Sequence, residues 1–232
     1  MYKFLFVLSL VALVGCDKKE TATSETPETK TETVKKEVVE KAAEPVAVRP
    51  TVHADAKALL REPAPDFTLN DLDGKPFTLS AHKGKIVVLE WFNPECPYVK
   101  AAHGEGSLKT AAKDNDDVVW VAINSGAEGN QGHGLEVNKK GAADFGMEHP
   151  ILLDEDGKVG RLYDAQRTPH MYVIDTKGTL VYRGGLDTSG SGFPKDSKGP
   201  LRNHVQQAII DLREGKPVAV PTTKSWGCSV KY

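Results

Sequence analysis

The side chain best suited to chemistry in this chain is the thiol of Cys96. It follows the apolar run at residues 86–89 after a short stretch that includes Pro94, and Pro97 comes directly after it. Proline suits the first position of a helix, so the sequence predicts that Cys96 is the N-cap of a helix beginning at Pro97. Backbone amides at a helix start favour the thiolate, which attacks disulfides and peroxides. We therefore predict a reactive cysteine; the alternative is a small, buried structural residue.

The first 15 residues have the pattern of an export signal. One lysine is followed by an apolar run too short to span a bilayer comfortably as a mature helix. The ending Leu-Val-Gly-Cys at Cys16 resembles the lipobox of bacterial lipoproteins, in which the signal is cut before the cysteine and the cysteine is lipidated. The resemblance implies lipidation of Cys16, and Asp17 fits retention at the outer face of the bacterial inner membrane. An ordinary secretory signal, cut nearby, is the alternative.

Residues 16–55 differ sharply in composition from the rest of the chain. Threonine, glutamate and lysine dominate, prolines recur, and aromatic residues are absent. Such a segment cannot bury enough apolar surface to fold. We predict a disordered, charged tether at 16–55, a folded domain at 56–217 and an extended C-terminal tail at 218–232.

Several function classes are excluded by composition and spacing. The formal net charge is -2, and no basic cluster with interleaved aromatic residues is present, which argues against a nucleic-acid partner. His103 lies seven positions after Cys96, about 10.5 Å along a helix axis, too far to share a metal with that sulfur. The glycine-rich residues 126–134 lack the Gly-Lys-Ser/Thr ending of a phosphate loop. We expect no metal and no cofactor.

Short apolar runs that alternate with helical segments indicate the fold class. The predicted strands lie at residues 67–69, 76–79, 86–92, 118–123 and 151–153, followed by a hairpin at 171–175 and 179–183. The predicted helices lie at residues 97–113, 135–145 and 200–213. Strands alternating with helices, together with a late antiparallel hairpin, predict an α/β domain with a mixed central sheet flanked by helices.

A reactive cysteine after the first central strand and a Thr-Pro pair before a late strand resemble the thioredoxin fold. In thioredoxin-type oxidoreductases a strand that ends in tryptophan, here Trp91, leads to Cys-x-x-Cys. Cys96 takes the first cysteine position and Val99 the second, so the adjacent resolving thiol is missing. Glu90, six residues before Cys96, falls where thioredoxins keep a buried acid that handles protons. The alternative for Glu90 is an edge charge that faces solvent.

The resemblance also implies residues that shape the active site. Thr168 and Pro169 resemble the loop whose proline is cis in thioredoxins and packs against the active sulfur. Trp91 and Pro97 flank the cysteine in sequence. His170, beside Pro169, either assists proton transfer or forms a wall of the pocket.

Peroxiredoxins carry a different motif, Pro-x-x-x-Thr/Ser-x-x-Cys, in which the hydroxyl holds the peroxide. This chain has Leu89 at the proline position, Asn93 at the hydroxyl position, and Pro169 where the activating arginine would align. These departures argue against a dedicated, fast peroxide reductase. Arg167 lies close enough to Pro169 in sequence that a slow peroxide reductase activity stays open.

The chain is similar to the peroxiredoxin-like group of the alkyl hydroperoxide reductase and thiol-specific antioxidant family. Four motifs in order carry this likeness: Cys-Pro-Tyr-Val-Lys at 96–100, Tyr-Arg-Gly at 182–184 with Asp187, Gly-Pro-Leu-Arg at 199–202, and Gly-Cys-x-x-Lys at 227–231. They are specific for the family and carry little information about the substrate.

Cys96 needs a thiol that resolves the mixed disulfide or sulfenic acid it forms. Cys228 is the other thiol of the predicted mature chain. At about 3.3 Å per residue, the roughly ten residues that precede it in the tail can cross a small domain. The pair either cycles or is a permanent bridge, which would stabilise the fold by up to about 4 to 5 kcal/mol in the chain-entropy model.

The residues together predict an exported, membrane-tethered thiol-disulfide oxidoreductase of the cell envelope. Cys96 attacks a protein or small-molecule disulfide, or a peroxide, and Cys228 resolves the product. Glu90 handles protons, and the sequence identifies no electron donor. The first alternative is a peroxiredoxin-like peroxide reductase that uses the same cysteines. The second is a binding module without turnover in which Cys96 and Cys228 form a structural bridge.

Overall fold

The structure is a computed structural model that describes residues 51–52 and 57–232. The predicted signal at 1–15, Cys16 and nearly all of the predicted tether lie outside these residues and stay predictions. Among the residues described, no helix has both the length and the apolar character needed to cross a bilayer.

Within residues 51–52 and 57–232, ten strands form two sheets. They are β1 (Thr51–Val52), β2 (Phe67–Asp71), β3 (Pro76–Thr78), β4 (Val87–Trp91), β5 (Val119–Asn124), β6 (Ile151–Leu153), β7 (Arg167–Thr168), β8 (His170–Ile174), β9 (Leu180–Gly184) and β10 (Cys228–Ser229). The larger, mixed sheet has the order β1-β2-β6-β5-β4-β8-β9, with β3 beside β2. Strands β4, β5 and β6 are parallel, and their neighbours are antiparallel. The smaller sheet pairs β7 with β10.

The described part of the chain also contains four α-helices: α1 (Pro97–Gly104), α2 (Leu135–Phe145), α3 (Lys158–Leu162) and α4 (His204–Arg213). Short 3₁₀ turns lie at Leu79–His82, Lys113–Asn115 and Pro194–Asp196. The helices cover both faces of the central strands, which is why every residue of β4 is buried and all but Glu90 are apolar.

Alternate residues of β4 point to opposite faces of the sheet, as the strand repeat of two requires. Val87, Leu89 and Trp91 pack in a core that includes residues of α3. Val88 packs in a second core with residues of α1 and α4. Glu90 shares this second face, and its carboxylate is therefore directed beneath α1.

The predicted strands and the hairpin are present to within a few residues, but β1, β7 and β10 were not predicted, and β1 lies within the predicted tether. Two helix predictions need correction, and one helix was missed. Helix α1 ends at Gly104 and not at residue 113, because Gly104 and Gly106 have low helix propensity. Beyond the helix, Gly106 packs so tightly on Ala102 and Gly192 that no side chain would fit there. Helix α4 begins at His204 and not at residue 200, since the Asn203 side chain caps it by accepting from the Gln206 backbone N–H at 3.0 Å. The five-residue helix α3 was not predicted.

Candidate active site

The site is built around Cys96, which is the N-cap residue of α1. Its backbone is extended, Pro97 occupies the first helical position, and its carbonyl accepts from the Lys100 N–H at 2.9 Å. The predicted junction between strand and helix is therefore present. The positive end of the helix therefore lies at the residue that carries the sulfur. The Cys96 side chain is fully buried, with 0% of its surface exposed.

Two groups contact the Cys96 sulfur. The sulfur atom lies 3.2 Å from the Thr168 carbonyl oxygen. This oxygen accepts a hydrogen bond from a thiol and would repel a thiolate. The Cys228 sulfur lies 2.8 Å away, and both cysteines are free thiols. The peptide bond between Thr168 and Pro169 is cis, as the thioredoxin resemblance implied. The structure thus brings Cys96, Cys228 and the Thr168 carbonyl together.

Strand β10 places Cys228 at this site. Cys228 is opposite Thr168 and Ser229 is opposite Arg167 in the antiparallel ladder with β7. Gly227, directly before them, has a φ of 108°, and a Cβ at this residue would overlap the Thr168 carbonyl. Only glycine combines this backbone conformation with such a close approach.

The tail before Cys228 is held by residues of the family motifs. The Thr223 hydroxyl accepts from the Gly185 N–H at 3.0 Å and lies 2.6 Å from the Tyr182 hydroxyl. A side chain at Gly184 would collide with Thr223. The Trp226 indole N–H donates to the Asp187 carbonyl at 3.1 Å. The Tyr-Arg-Gly motif and its aspartate therefore form the surface on which the tail packs. Sequence reasoning could not assign them this role.

The tail after Cys228 is held as well. The Val230 N–H donates to the Gln166 carbonyl at 3.1 Å, and the Ala127 N–H donates to the Lys231 carbonyl at 2.8 Å. The Tyr232 hydroxyl donates to the Ala165 carbonyl at 2.7 Å. The Arg161 guanidinium lies 4.5 Å from the centroid of the same ring. Cys228 is thus fixed from both sides.

The surroundings of Cys228 keep its sulfur protonated. Burial, followed by the contact with Cys96, raises the pKa of the Cys228 thiol to about 11. Lys231 opposes this shift but does not cancel it. Near neutral pH, Cys228 is therefore a thiol that can donate its hydrogen to the Cys96 sulfur.

Glu90 is fully buried, so the alternative of a solvent-facing edge charge is wrong. Its Oε1 atom lies 3.0 Å from Nε2 of His103, and no hydrogen bond joins Glu90 to Cys96 among the described residues. The His103 ring stacks on Phe145 and meets Phe92 edge-on. Sequence reasoning considered His103 only as a metal ligand. The sequence held a signal for this pair. A histidine lies on the helix predicted to cover the strand that carries Glu90, so the two side chains could have been expected to meet.

His103 also lines a surface cavity of about 480 Å³. The walls of this cavity include Trp120 and His149, whose side-chain atoms Nε1 and Nε2 have no hydrogen-bond partner within the described part of the chain. Burial lowers the pKa of His149 to about 4, and the nearby Glu90 carboxylate opposes this shift without cancelling it. Within residues 51–52 and 57–232, no group of three His, Cys, Asp or Glu side chains could hold a metal ion.

His170 and Trp91 lie on the sheet beside the site, and among the described residues neither forms a hydrogen bond with a thiol. The His170 Nδ1 atom lies 3.0 Å from the Tyr172 hydroxyl and accepts from the Gln166 N–H at 3.3 Å. Burial lowers the pKa of His170 to about 4, so its ring is neutral at pH 7. The Trp91 indole donates to the Ser125 hydroxyl at 3.0 Å. These contacts fit the pocket-wall interpretation of His170.

Comparison with known proteins agrees with this architecture. Residues 60–183 match the family described as the AhpC/TSA family. Thiol-disulfide oxidoreductase ResA of Bacillus subtilis is 29% identical over 118 residues, which cover 51% of this chain and 63% of ResA. Peroxiredoxin Q of Triticum aestivum is 29% identical over 129 residues, covering 51% of this chain and 55% of that protein. The chain thus spans less than two thirds of the length of these relatives.

A solved structure extends the likeness over most of the domain. An uncharacterized conserved protein from Geobacillus kaustophilus is 31% identical, with a TM-score of 0.66, and the match covers 80% of this chain and 97% of that one. The strand order and the matching solved structures confirm the predicted thioredoxin-like α/β fold with a mixed central sheet.

Proposed function

The chain belongs to the AhpC/TSA family, and we propose that it acts as a thiol-disulfide oxidoreductase with Cys96 as nucleophile and Cys228 as resolving thiol. The observation that carries the proposal is the distance of 2.8 Å between two free sulfur atoms that are 132 residues apart in the chain. Sulfur atoms already in contact need little movement to reach the roughly 2.05 Å of a disulfide. The likeness to ResA, a thiol-disulfide oxidoreductase by name, supports the same chemistry.

The proposed reaction has two exchange steps. The Cys96 thiolate attacks one sulfur of a substrate disulfide, which forms a mixed disulfide and expels the other substrate sulfur as a thiolate. Cys228 then loses its proton to the expelled thiolate or to solvent and attacks the Cys96 sulfur. This second step forms the Cys96–Cys228 disulfide and releases the substrate as a dithiol. Two electrons pass from the cysteine pair to the substrate, and an external dithiol must return them.

The tail decides when the first step occurs. Cys96 is fully buried, and Cys228 packs against it. A substrate sulfur therefore reaches Cys96 only when the segment around Gly227 and Cys228 leaves β7. The tail thus has two roles in the proposed reaction. It supplies the resolving thiol that the Cys-x-x-Cys motif lacks, and it covers Cys96.

Glu90 is the proposed proton-handling acid. It has no solvent contact of its own, but its partner His103 lines a surface cavity. A proton can therefore leave Glu90 through the His103 imidazole, because the imidazole accepts a proton at one nitrogen and donates one at the other. Pro97, Thr168 and Pro169 are proposed to shape the contact surface of the sulfur, and Trp91 and His170 to support it.

We also propose that the protein is exported and anchored by lipidated Cys16 at the outer face of the bacterial inner membrane. The support is the sequence of residues 1–17, with the charged tether at 16–55 holding the domain away from the lipid. Cys16→Ala would test the anchor. A shift of the exported protein from the membrane to the soluble fraction is expected, and unchanged membrane association would refute it.

A peroxide reductase is the second candidate, because peroxiredoxin Q is among the relatives. In this reaction the Cys96 thiolate attacks a peroxide oxygen, which gives a sulfenic acid and an alcohol or water. Cys228 then displaces water to form the same disulfide. Asn93 and Pro169 stand where the family motif needs a hydroxyl and an arginine, and this favours the disulfide substrate.

Thiol mapping by mass spectrometry separates these candidates. The full chain with Cys16→Ala, in its reduced form, would be mixed with oxidised glutathione or with hydrogen peroxide, quenched, alkylated and digested. We expect a Cys96–Cys228 disulfide that forms at least tenfold faster with the disulfide and is readily reduced by a dithiol. Cys96→Ser should abolish it, and Cys228→Ser should accumulate glutathione on Cys96. Faster reaction with peroxide would favour the reductase, and a bridge that resists dithiols would favour the binding module.

A further inference from the structure

We propose that the pocket that holds the Tyr232 ring is a subsite for an aromatic side chain of a polypeptide substrate, four residues after the cysteine that reacts with Cys96. The inference rests on the proposed function, because it concerns the substrate of the same thiol. It narrows the substrate class to extended segments in which an aromatic residue follows a cysteine at the fourth position. Tyr232 occupies the subsite when the tail is closed.

A substrate sulfur that reacts with Cys96 takes the position that Cys228 has in the closed tail. The Cys96 side chain is fully buried. Away from Cys228, it packs in an apolar cluster with Phe92, Val99, Ala122 and Ile151. The side on which Cys228 lies is therefore the approach that opens when the tail leaves, and the substrate segment enters along the path of the tail.

The tail contacts the domain at every second residue after Cys228. Val230 packs against the core that includes residues of α3, and Tyr232 packs against α3 itself. Between them and Cys228, Ser229 is exposed. In an extended segment the side chains at i, i+2 and i+4 share one face. A substrate segment on the same path therefore turns its residues two and four positions after the cysteine toward the domain.

The pocket for the fourth residue is shaped to a phenol ring. A Cβ at Gly160 would lie 2.6 Å from Cε1 of Tyr232, and one at Gly157 would lie 2.6 Å from its Cδ1. The Arg161 guanidinium lies 4.5 Å from the ring centroid, a cation–π contact. The hydroxyl donates to the carbonyl of the buried Ala165 at 2.7 Å. Two glycines thus make room for the ring, a cation faces it, and a carbonyl accepts its hydroxyl.

A departing tail leaves groups of the domain without their partners. The Ala165 carbonyl loses the Tyr232 hydroxyl, and the Gln166 carbonyl loses the N–H of Val230. Leaving a buried acceptor unsatisfied costs free energy. A substrate with a tyrosine at the fourth position restores the first hydrogen bond, and its backbone restores the second. The pocket therefore binds either the tail or the substrate, and the two exclude each other.

Peptides copied from the tail test the subsite. Each is a disulfide-linked dimer of Ser-Trp-Gly-Cys-Ser-Val-Lys followed by Tyr, Phe or Ala. The reduced full chain with Cys16→Ala and Cys228→Ser supplies the Cys96 thiolate. This thiolate attacks one peptide sulfur, forms a Cys96–peptide disulfide and expels the other peptide as a thiolate, which takes up a proton. Because Cys228→Ser removes the resolving thiol, the adduct accumulates, and its intact mass after acid quenching gives the rate.

We expect the tyrosine peptide to react at least fivefold faster than the alanine peptide, with the phenylalanine peptide between them because it lacks the hydroxyl. Exchange of each peptide dimer with glutathione measures the intrinsic reactivity of its disulfide, which should be equal for all three. Equal rates at Cys96 would overturn the inference. No adduct with any peptide would instead refute the proposed function, so the two failures are distinguishable.

Two variants separate a substrate subsite from an anchor that serves the tail alone. Tyr232→Ala empties the pocket and loosens the tail, so all three peptides should react faster while the ratio of the tyrosine rate to the alanine rate stays. Gly160→Ala should also loosen the tail, but its methyl group fills the pocket, and this ratio should vanish. Arg161→Leu removes the cation that faces the ring and should lower the ratio several-fold, which decides the question if Gly160→Ala fails to fold. An unchanged ratio in a folded pocket variant would overturn the inference.

Discussion

Gly227 lies against the carbonyl group of Thr168 with no room for a side chain, and this contact sets Cys228 beside Cys96. We expect Gly227→Ala to slow formation of the Cys96–Cys228 disulfide by at least tenfold, because a methyl group would push the tail away from β7. Stopped-flow alkylation of the remaining thiols measures this rate.

Gly129 offers a matched control for Gly227. Its φ is 80°, but no atom lies within 4 Å of a Cβ built there. Gly129→Ala therefore carries the cost of a left-handed backbone, about 1 to 2 kcal/mol, without the steric collision. Equal rates of disulfide formation in the two variants would show that the approach of Gly227 to Thr168 is unimportant.

The pairing of Glu90 with His103 leads to a prediction about stability. His103→Leu leaves the fully buried Glu90 carboxyl without its hydrogen-bond partner, and removing one member of a buried pair typically costs about 3 to 5 kcal/mol. Urea unfolding of the reduced protein measures the loss. The double variant Glu90→Leu with His103→Leu should recover part of it, since no polar group is then stranded.

The same pair allows a test of proton handling that stability alone would not explain. Glu90→Gln keeps the shape of the side chain but cannot exchange a proton near neutral pH. If Glu90 serves the thiols, this variant should flatten the pH profile of disulfide exchange while keeping the fold. An unchanged pH profile would show that the pairing of Glu90 with His103 has a structural role only.

The sequence predicted the central strands and the helix start at Cys96 because these depend on local signals, and it pointed to Cys228 only by elimination, as the other thiol of the predicted mature chain. Apolar runs mark strands, and Pro97 marks the helix start. The end of α1 also had a local signal, the glycines at 104 and 106, which the predicted helix ran through. By contrast, no local pattern indicates that the tail contacts Tyr182, Asp187 and Ala165, so its role as a cover over Cys96 is seen only in the structure.

The raised pKa of Cys228 predicts how the reduced protein responds to alkali. A thiol whose folded pKa, here about 11, lies above its unfolded value of 9.0 stabilises the fold fully below pH 9. This contribution is lost as the pH rises from 9 to 11, because the unfolded chain loses the proton first. We expect the free energy of unfolding to fall less steeply over this range in Cys228→Ser than in the natural sequence. Parallel slopes, measured by urea unfolding under reducing conditions, would refute the assignment.

His170 predicts the opposite response, in acid. Burial lowers its pKa to about 4 from 6.5, so the unfolded chain binds a proton first as the pH falls. The stability that neutral His170 contributes is complete above pH 6.5 and is lost between pH 6.5 and 4.

Asp154 acts in the other direction, since burial raises the pKa of its carboxyl to about 6 and its protonation stabilises the fold in acid. The informative quantity is therefore the difference between the natural sequence and His170→Gln, which keeps a polar side chain near Tyr172. We expect this difference to shrink by about 2 to 4 kcal/mol from pH 7 to pH 4, following about 1.4 kcal/mol per pKa unit. A constant difference would show that folding does not shift the pKa of His170 and would reopen the proton-transfer role that its contacts now argue against.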